Sequence, residues 1–290
     1  MQAYFAHFQV PAYAYRAAPV MVTEEELRLV EAFLAGQVFT DAEAAEALSL
    51  SPADTEALLR NAYRRSVIDR SGDGWVITDF YTRFFAFCRE CPDVWRGMDR
   101  SVRATLSEWA LEEYIVKRWL HTAEPNRRDV VLTPDEALDL LTRQTVIGVA
   151  GCLCRPVFDT CDHSRETCLS FGDGPNTDLD RGVARPIAPD EAAALIRALH
   201  DEGLILTKRG EEGLCACCGD CCLDYRAADR MGMLGEWPEA PHIAVSGPGE
   251  ASHADRCPLR ALTAADGRLT VDPDRCVGCG LCPLPLTDRT

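Results

Sequence analysis

A chain of 290 residues exceeds what one ordinary domain needs, and 47% apolar with 26% charged residues is the composition of a globular protein with its own cores. The formal charge of -16 opposes binding to a polyanion, because nucleic-acid affinity comes largely from Lys and Arg neutralising phosphates; it suits a partner protein with a basic docking surface. The first twenty residues lack the basic and unbroken apolar regions of a secretory signal, and no run of about eighteen apolar residues occurs, so a cytoplasmic protein outside the membrane is expected. Fifteen cysteines are present, thirteen of them beyond position 150 in three groups. In a reducing compartment, clustered thiols read as metal ligands or redox groups rather than disulfides.

In chain order, TEEELRLVEAFLAG places Leu27, Val30 and Leu34 on one helical face, with Thr23 as N-cap and Glu26 completing a capping box. A second helix is predicted from Thr40-Asp41 and a third from Ser51-Pro52, where a Ser cap precedes Pro at the first helical position. SVIDRSGDGWVITDF then alternates across an Asp73-Gly74 turn, a hairpin signal. Over residues 1-80 this order resembles a winged helix-turn-helix. From 81 to 130 a helical bridge is expected, with Phe84, Phe85, Trp109, Tyr114 and Trp119 as a core stripe and a break at Pro125-Asn126. Cys88 and Cys91 lie in this helical stretch and read as idle thiols.

TPDEALDLLTRQTVIGVAG and APDEAAALIRALHDEGLILTK form an imperfect repeat, each a capped helix followed by an apolar strand leading to a cysteine group. The shared Pro-Asp-Glu-Ala at 134-137 and 189-192 is also what any first helical turn favours, so a structural repeat and a coincidence both stand open. The remaining divisions are a cysteine-rich α+β region at 131-235 and a C-terminal module at 236-290. The expected fold class is α+β.

The C-terminal group is Cys276-x2-Cys279-x2-Cys282, preceded by Cys257-Pro258. A 4Fe-4S cubane needs four thiolates aimed at one point; the tight loop supplies three and turns its backbone N-H groups toward the sulfurs, and a distant cysteine completes the site. Gly278 and Gly280 relieve crowding where the loop wraps. Residues 243-283 are similar to bacterial ferredoxins, in Ala261-Leu262, Gly267, Leu269, Val271-Asp272 and Val277-Gly278 besides the cysteines. In that family the cysteine before Pro in one half ligates the cluster of the other half, which the resemblance carries onto Cys257. The three cysteines expected upstream are replaced by Gly247, Glu250 and His253, and the last by Leu286. The resemblance therefore implies one cluster in this module.

The middle group is Cys152-x-Cys154-Arg155-x5-Cys161-x6-Cys168 and the third is Cys215-x-Cys217-Cys218-x2-Cys221-Cys222. Adjacent side chains diverge, so Cys217-Cys218 and Cys221-Cys222 are expected to serve two sites. Nine cysteines fill two four-thiolate sites with one to spare, and both separate and mixed assignments stand open. Further 4Fe-4S clusters are favoured over zinc as occupants. Arg155 and His163 are either partners of such a site or surface residues. Residues 75-283 also resemble a class of iron-sulfur proteins from anaerobes, and Cys217-Cys218-Gly219 resembles the Cys-Cys-Gly motifs of heterodisulfide-reductase subunits.

No Walker A, G-x-G-x-x-G, G-x-S-x-G or C-x3-C-x2-C sequence is present, and no catalytic residue is assigned. The expected function is electron transfer with a redox partner protein, as a carrier or oxidoreductase component rather than a stand-alone enzyme. The alternative is a redox-sensing regulator whose third helix offers Arg60, Arg64 and Arg65 to DNA, against the acids around them.

Overall fold

A computed structural model describes residues 1-120 and 129-289, with residues 119 and 120 described through their backbone alone. Helix and antiparallel sheet are mixed, the α+β class expected. The chain divides into two compact units, Met1–Ala110 with Gly174–Val183, and Leu111–Asp173 with Ala184–Thr290.

In the first unit, helix α1 (Gln2–His7) precedes α2 (Glu24–Ala32), whose Thr23-Glu26 capping box is complete. Helix α2 stops short of Leu34: Phe33 turns to extended backbone and stacks its ring on Phe39, leaving Leu34 exposed and giving the inward face to Glu26, Leu29 and Val30. The buried Glu26 carboxylate is paired with Arg65 at 2.6 Å. Strand β1 (Val38–Phe39), α3 (Asp41–Leu48) and α4 (Pro52–Arg64) follow, the helices capped by Thr40 and Ser51 as their sequences predict.

Strands β2 (Ile68–Ser71) and β3 (Gly74–Ile77) complete an antiparallel sheet of order β1-β3-β2. The hairpin turn sits one residue earlier than predicted. Ser71 pairs with Gly74, so Gly72 and Asp73 form the loop, with the positive φ of +58° at Gly72. Gly74 is instead a ladder residue beside β1, where a Cβ would lie 2.7 Å from the Phe39 carbonyl oxygen.

Helices α5 (Phe80–Glu90), α6 (Pro92–Gly97) and α7 (Arg100–Ile115) carry the aromatic stripe. Phe84, Phe85, Trp109 and Tyr114 are buried, as core residues should be. The side chain of Trp119 and the Pro125-Asn126 break lie outside the described residues. Segment 174-183 belongs to this unit through side chains: the Asn176 amide donates to the Tyr63 hydroxyl at 2.7 Å, Arg181 donates to the Tyr63 carbonyl at 2.6 Å, and Arg89 pairs with Asp178 at 3.1 Å.

The second unit is built on a six-stranded sheet. Strand β4 (Asp129–Leu132), α8 (Pro134–Thr142), β5 (Ile147–Gly151), α9 (Cys154–Phe158) and β6 (Glu166–Phe171) come first. Strand β7 (Arg185–Pro186), α10 (Pro189–Asp201), β8 (Ile205–Arg209), β9 (Gly213–Cys217) and α11 (Leu223–Met231) follow.

The sheet order β4-β8-β9-β6-β5-β7 reads the same when β4, β5 and β6 are exchanged for β7, β8 and β9. The two Pro-Asp-Glu-Ala helices are therefore equivalent parts of a pseudo-two-fold repeat, with β6 and β9 meeting at its centre. The second copy reaches its cysteines on β9, one strand later than the first copy, whose cysteines begin directly after β5. The apolar stretch around Thr145-Leu153 is largely β5; no helix of the described residues is long and apolar enough to cross a membrane.

Period-two alternation assigns the two sheet faces. Ile147, Val149, Leu169, Leu204, Leu206, Leu214 and Ala216 pack with Ala137, Leu141, Ala192, Ile196 and Leu199 of α8 and α10. The opposite face carries Cys168, Cys215, Cys217 and the buried Thr207, whose hydroxyl lies 2.9 Å from that of Tyr225 on α11.

Strands β10 (His242–Ala244) and β11 (Gly247–Pro248), helix α12 (Ala251–Asp255), and strands β12 (Leu262–Ala265), β13 (Arg268–Val271) and β14 (Leu286–Asp288) complete the unit. They pair as β10-β14 and β11-β13-β12 over a small core of Ala244, Ala261, Leu262, Leu269 and Leu284.

Candidate metal centres

The four C-terminal cysteines are brought together. Cys257, Cys276, Cys279 and Cys282 line one apolar cavity with Ala244, Leu262 and Leu281. Each sulfur accepts a backbone N-H: Ala261 to Cys257 at 3.3 Å, Ala244 to Cys276 at 3.4 Å, Leu281 to Cys279 and Leu284 to Cys282. Burial pushes the Cys279 thiol up to about 12 against its amide. Oriented N-H groups in a largely apolar cavity favour a sulfur whose charge is shared with a bound metal.

The loop geometry depends on its glycines. Gly278 has φ +61°, and a Cβ there would lie 2.3 Å from the His242 carbonyl oxygen; Gly280 has φ +77°. The His200 ring lies 3.1 Å from the Cys279 carbonyl oxygen and ties the loop to α10.

The other nine cysteines divide by the pleat of β9. Cys215 and Cys217 lie on one face, Ala216 and Cys218 on the other, so the adjacent Cys217 and Cys218 serve different groups. Cys221 and Cys222 part in the same way at the start of α11. The thiols gather as six and three, and each gathering mixes the middle and third groups.

The six form a closed ring. Cys168 lies 3.7 Å from Cys215, and each thiol perturbs the ionisation of its neighbours in the order Cys152, Cys154, Cys222, Cys217, Cys215, Cys168 and back to Cys152. Cys168 and Cys215 are register partners on β6 and β9, at the centre of the repeat. Hydrogen bonds from their ring neighbours hold Cys152, Cys215 and Cys222 well below the usual thiol range and, from the other end, push Cys154, Cys168 and Cys217 well above it. The six therefore titrate as one coupled set, because neighbouring sulfurs cannot all ionise at once.

Two arginines border this ring. Arg155 is buried in the protein rather than on its surface. It donates to the Ala216 carbonyl and the Thr167 hydroxyl, both at 2.8 Å, and its charge faces Cys152, Cys218 and Cys217. Arg209 faces Cys215 and Cys222 and is paired with Asp129 at 3.4 Å and with Asp224, which also accepts from the Tyr114 hydroxyl. Sequence reading missed Arg209, Asp224 and Tyr225 and took Tyr114 as core alone; their approach to the sulfurs depends on tertiary packing of β8, α11 and α7.

The trio is Cys161, Cys218 and Cys221, whose sulfurs lie within 4.8 Å of one another and could hold a metal ion or cluster. Cys218 is held down to about 6 by the Cys221 thiol, the Cys221 amide and Arg155, against burial. The Thr160 hydroxyl lies 3.1 Å from the Cys221 sulfur. His163 donates its backbone N-H to the Cys161 sulfur, while its ring lies 3.1 Å from Glu202.

No family model, curated protein or solved structure matches the chain. The three groups nonetheless adjoin. Arg155 faces sulfurs of both ring and trio, while Tyr225 lies near Cys217 and Cys222 of the ring and Cys279 of the C-terminal group. At Gly219, in the trio's loop, a Cβ would lie 2.0 Å from the Pro258 carbonyl oxygen, next to Cys257. Cys88 is buried and Cys91 half-buried in the other unit, with burial pushing the Cys88 thiol well up.

Proposed function

We propose that this protein is an iron-sulfur electron carrier or a subunit of a redox complex, with one 4Fe-4S cluster on Cys257, Cys276, Cys279 and Cys282 and further clusters on the ring and the trio. The observation that carries the reading is the C-terminal cavity, where four thiols converge and each accepts a backbone N-H. Such bonds match the donor environment that stabilises cluster sulfurs and sets their potential. The nearness of ring and trio to this cavity, and the all-thiol donor sets, favour iron-sulfur occupants for the middle groups as well.

A bound cluster of this kind accepts and releases single electrons. The chain contributes the path and the bias. Arg155 between ring and trio, Tyr225 between ring and C-terminal group, and the Gly219-Pro258 contact keep the groups adjacent. The net charge of -16 disfavours added electrons and lowers potentials overall, while Arg155 and Arg209 favour reduction at the ring.

The N-terminal unit serves in this reading as a winged-helix docking module for a redox partner. DNA contact draws less support: Arg60 pairs with Glu56 and Arg65 with the buried Glu26, leaving Arg64 of the three arginines. Anaerobic iron and sulfide analysis with EPR tests the proposal. About twelve irons per chain are expected for three cubanes, about four would confine clusters to the C-terminus, and none would overturn it.

A further inference from the structure

The trio stops at three. Among the described residues no histidine, carboxylate or further cysteine joins Cys161, Cys218 and Cys221 within the 4.8 Å that relates their sulfurs. The six other cysteines of the middle and third groups belong to the ring, and those on β9 face the other side of the sheet, so reaching the trio would require a register slip. The closest other donor, the Thr160 hydroxyl, sits between the Cys221 sulfur at 3.1 Å and the Asp220 carbonyl at 3.4 Å. His163 is engaged with Glu202.

The trio also borders a cleft, although Cys218 and Cys221 are themselves buried. Cys218 lines a cleft of about 580 Å³ together with His163, Glu202, Asp220, Arg256 and Cys257. That volume falls within the range of small-molecule sites. The C-terminal cavity holds only about 30 Å³ and is apolar. The same cleft touches Cys257, so a molecule in it would lie beside two of the three groups.

We propose that the trio holds its cluster with one iron lacking a protein ligand, that this position opens on the cleft, and that it takes a small thiol. The inference rests on the iron-sulfur reading above and extends it from relay to ligand binding. Metal sites closed by protein ligands are structural, whereas an incomplete ligand set leaves room for an exogenous donor. Soft thiolates select iron-sulfur centres, so the chemistry that completes three cysteines is a fourth sulfur. The incoming S-H gives its proton to water as the sulfur-iron bond forms.

The test titrates 2-mercaptoethanol into the full-length, anaerobically reconstituted and reduced chain and follows EPR. The expected result is that one signal shifts its g values, saturating at one thiol per chain, and that the shift is absent in Cys218→Ala, which holds about four fewer irons. If iron is fully loaded but no signal moves, the inference falls and the electron-carrier reading stands. Zinc in the trio, or no metal there, overturns it too. A response seen in Thr160→Val but not in the unsubstituted chain means that the hydroxyl closes the site, which also overturns it. If Cys218→Ala does not fold, the unsubstituted chain read against Thr160→Val decides.

Discussion

The C-terminal group and the six-thiol ring solve the same problem in opposite ways. The C-terminal sulfurs are served by the backbone, one N-H apiece, on a loop shaped by Gly278 and Gly280. The ring sulfurs face one another, with Arg155 and Arg209 supplying positive charge from the sheet and its flanks. A backbone cradle is written in local sequence. A ring built from side chains depends on strand register and on residues tens of positions apart.

On the proposed iron-sulfur reading, the largest effect should come from the C-terminal cysteines. Cys279→Ser is expected to remove about four irons and one EPR signal while leaving the ring's signal in place; simultaneous loss of both would show that the two groups do not assemble independently. Next is the contact between the trio's loop and Pro258. Gly219→Ala must accommodate a Cβ 2.0 Å from a carbonyl oxygen, so a loss of about 3 kcal/mol in denaturant unfolding is expected, against about 1 kcal/mol or less for Gly174→Ala, where a Cβ meets nothing.

Arg155→Met tests the ring's dependence on side-chain charge. It removes a buried cation and strands the Ala216 carbonyl, for an expected cost of about 3 kcal/mol, and the ring signal should become harder to reduce. Arg155→Lys should retain much of the potential while still losing stability, since one ammonium cannot replace a planar fork. Equal potentials in all three proteins would remove Arg155 from the account.

The smallest effect concerns the strand pair beside the C-terminal group. Glu136 at 2.9 Å, and then Asp288 at 3.2 Å, raise the His242 imidazole above its ordinary range. The protonated form is therefore favoured by folding: its contribution is complete below the ordinary histidine value and disappears as pH rises through the raised one. With Asp288 exposed, about 0.5 kcal/mol is expected. NMR titration of the ring checks it, and an ordinary His242 midpoint would contradict it.

How much could be read beforehand follows from the same comparison. The caps of the N-terminal helices at Thr23, Thr40 and Ser51, and the glycines of the cysteine loop, are short-range signals and appear where their residues stand. The hairpin slipped by one residue because Asp73-Gly74 looks like a turn, while Gly74 is small for a different reason, the approach of β1. Divergence of adjacent cysteines was legible from strand geometry. The division into six and three was not, because it depends on Cys168 lying opposite Cys215, a pairing of β6 with β9 that no local pattern announces. The repeat was visible as Pro-Asp-Glu-Ala twice, yet only the sheet order distinguishes it from a favoured first turn.

The segment Gly174–Val183 has a consequence for how the molecule can be taken apart. It belongs to the first unit, yet it is spliced between β6, which carries Cys168, and β7 of the second. The backbone thus changes units three times, and no single cut yields two complete pieces. A fragment beginning at 111 would carry a strap deprived of Tyr63 and Arg89, and a fragment ending at 110 would leave Tyr63 without Asn176 and Arg181. Heat or denaturant should therefore report on both units together: loosening the strap releases two strand ends of the sheet, and stripping the cysteines of metal should lower the melting temperature of the helices that hold the strap.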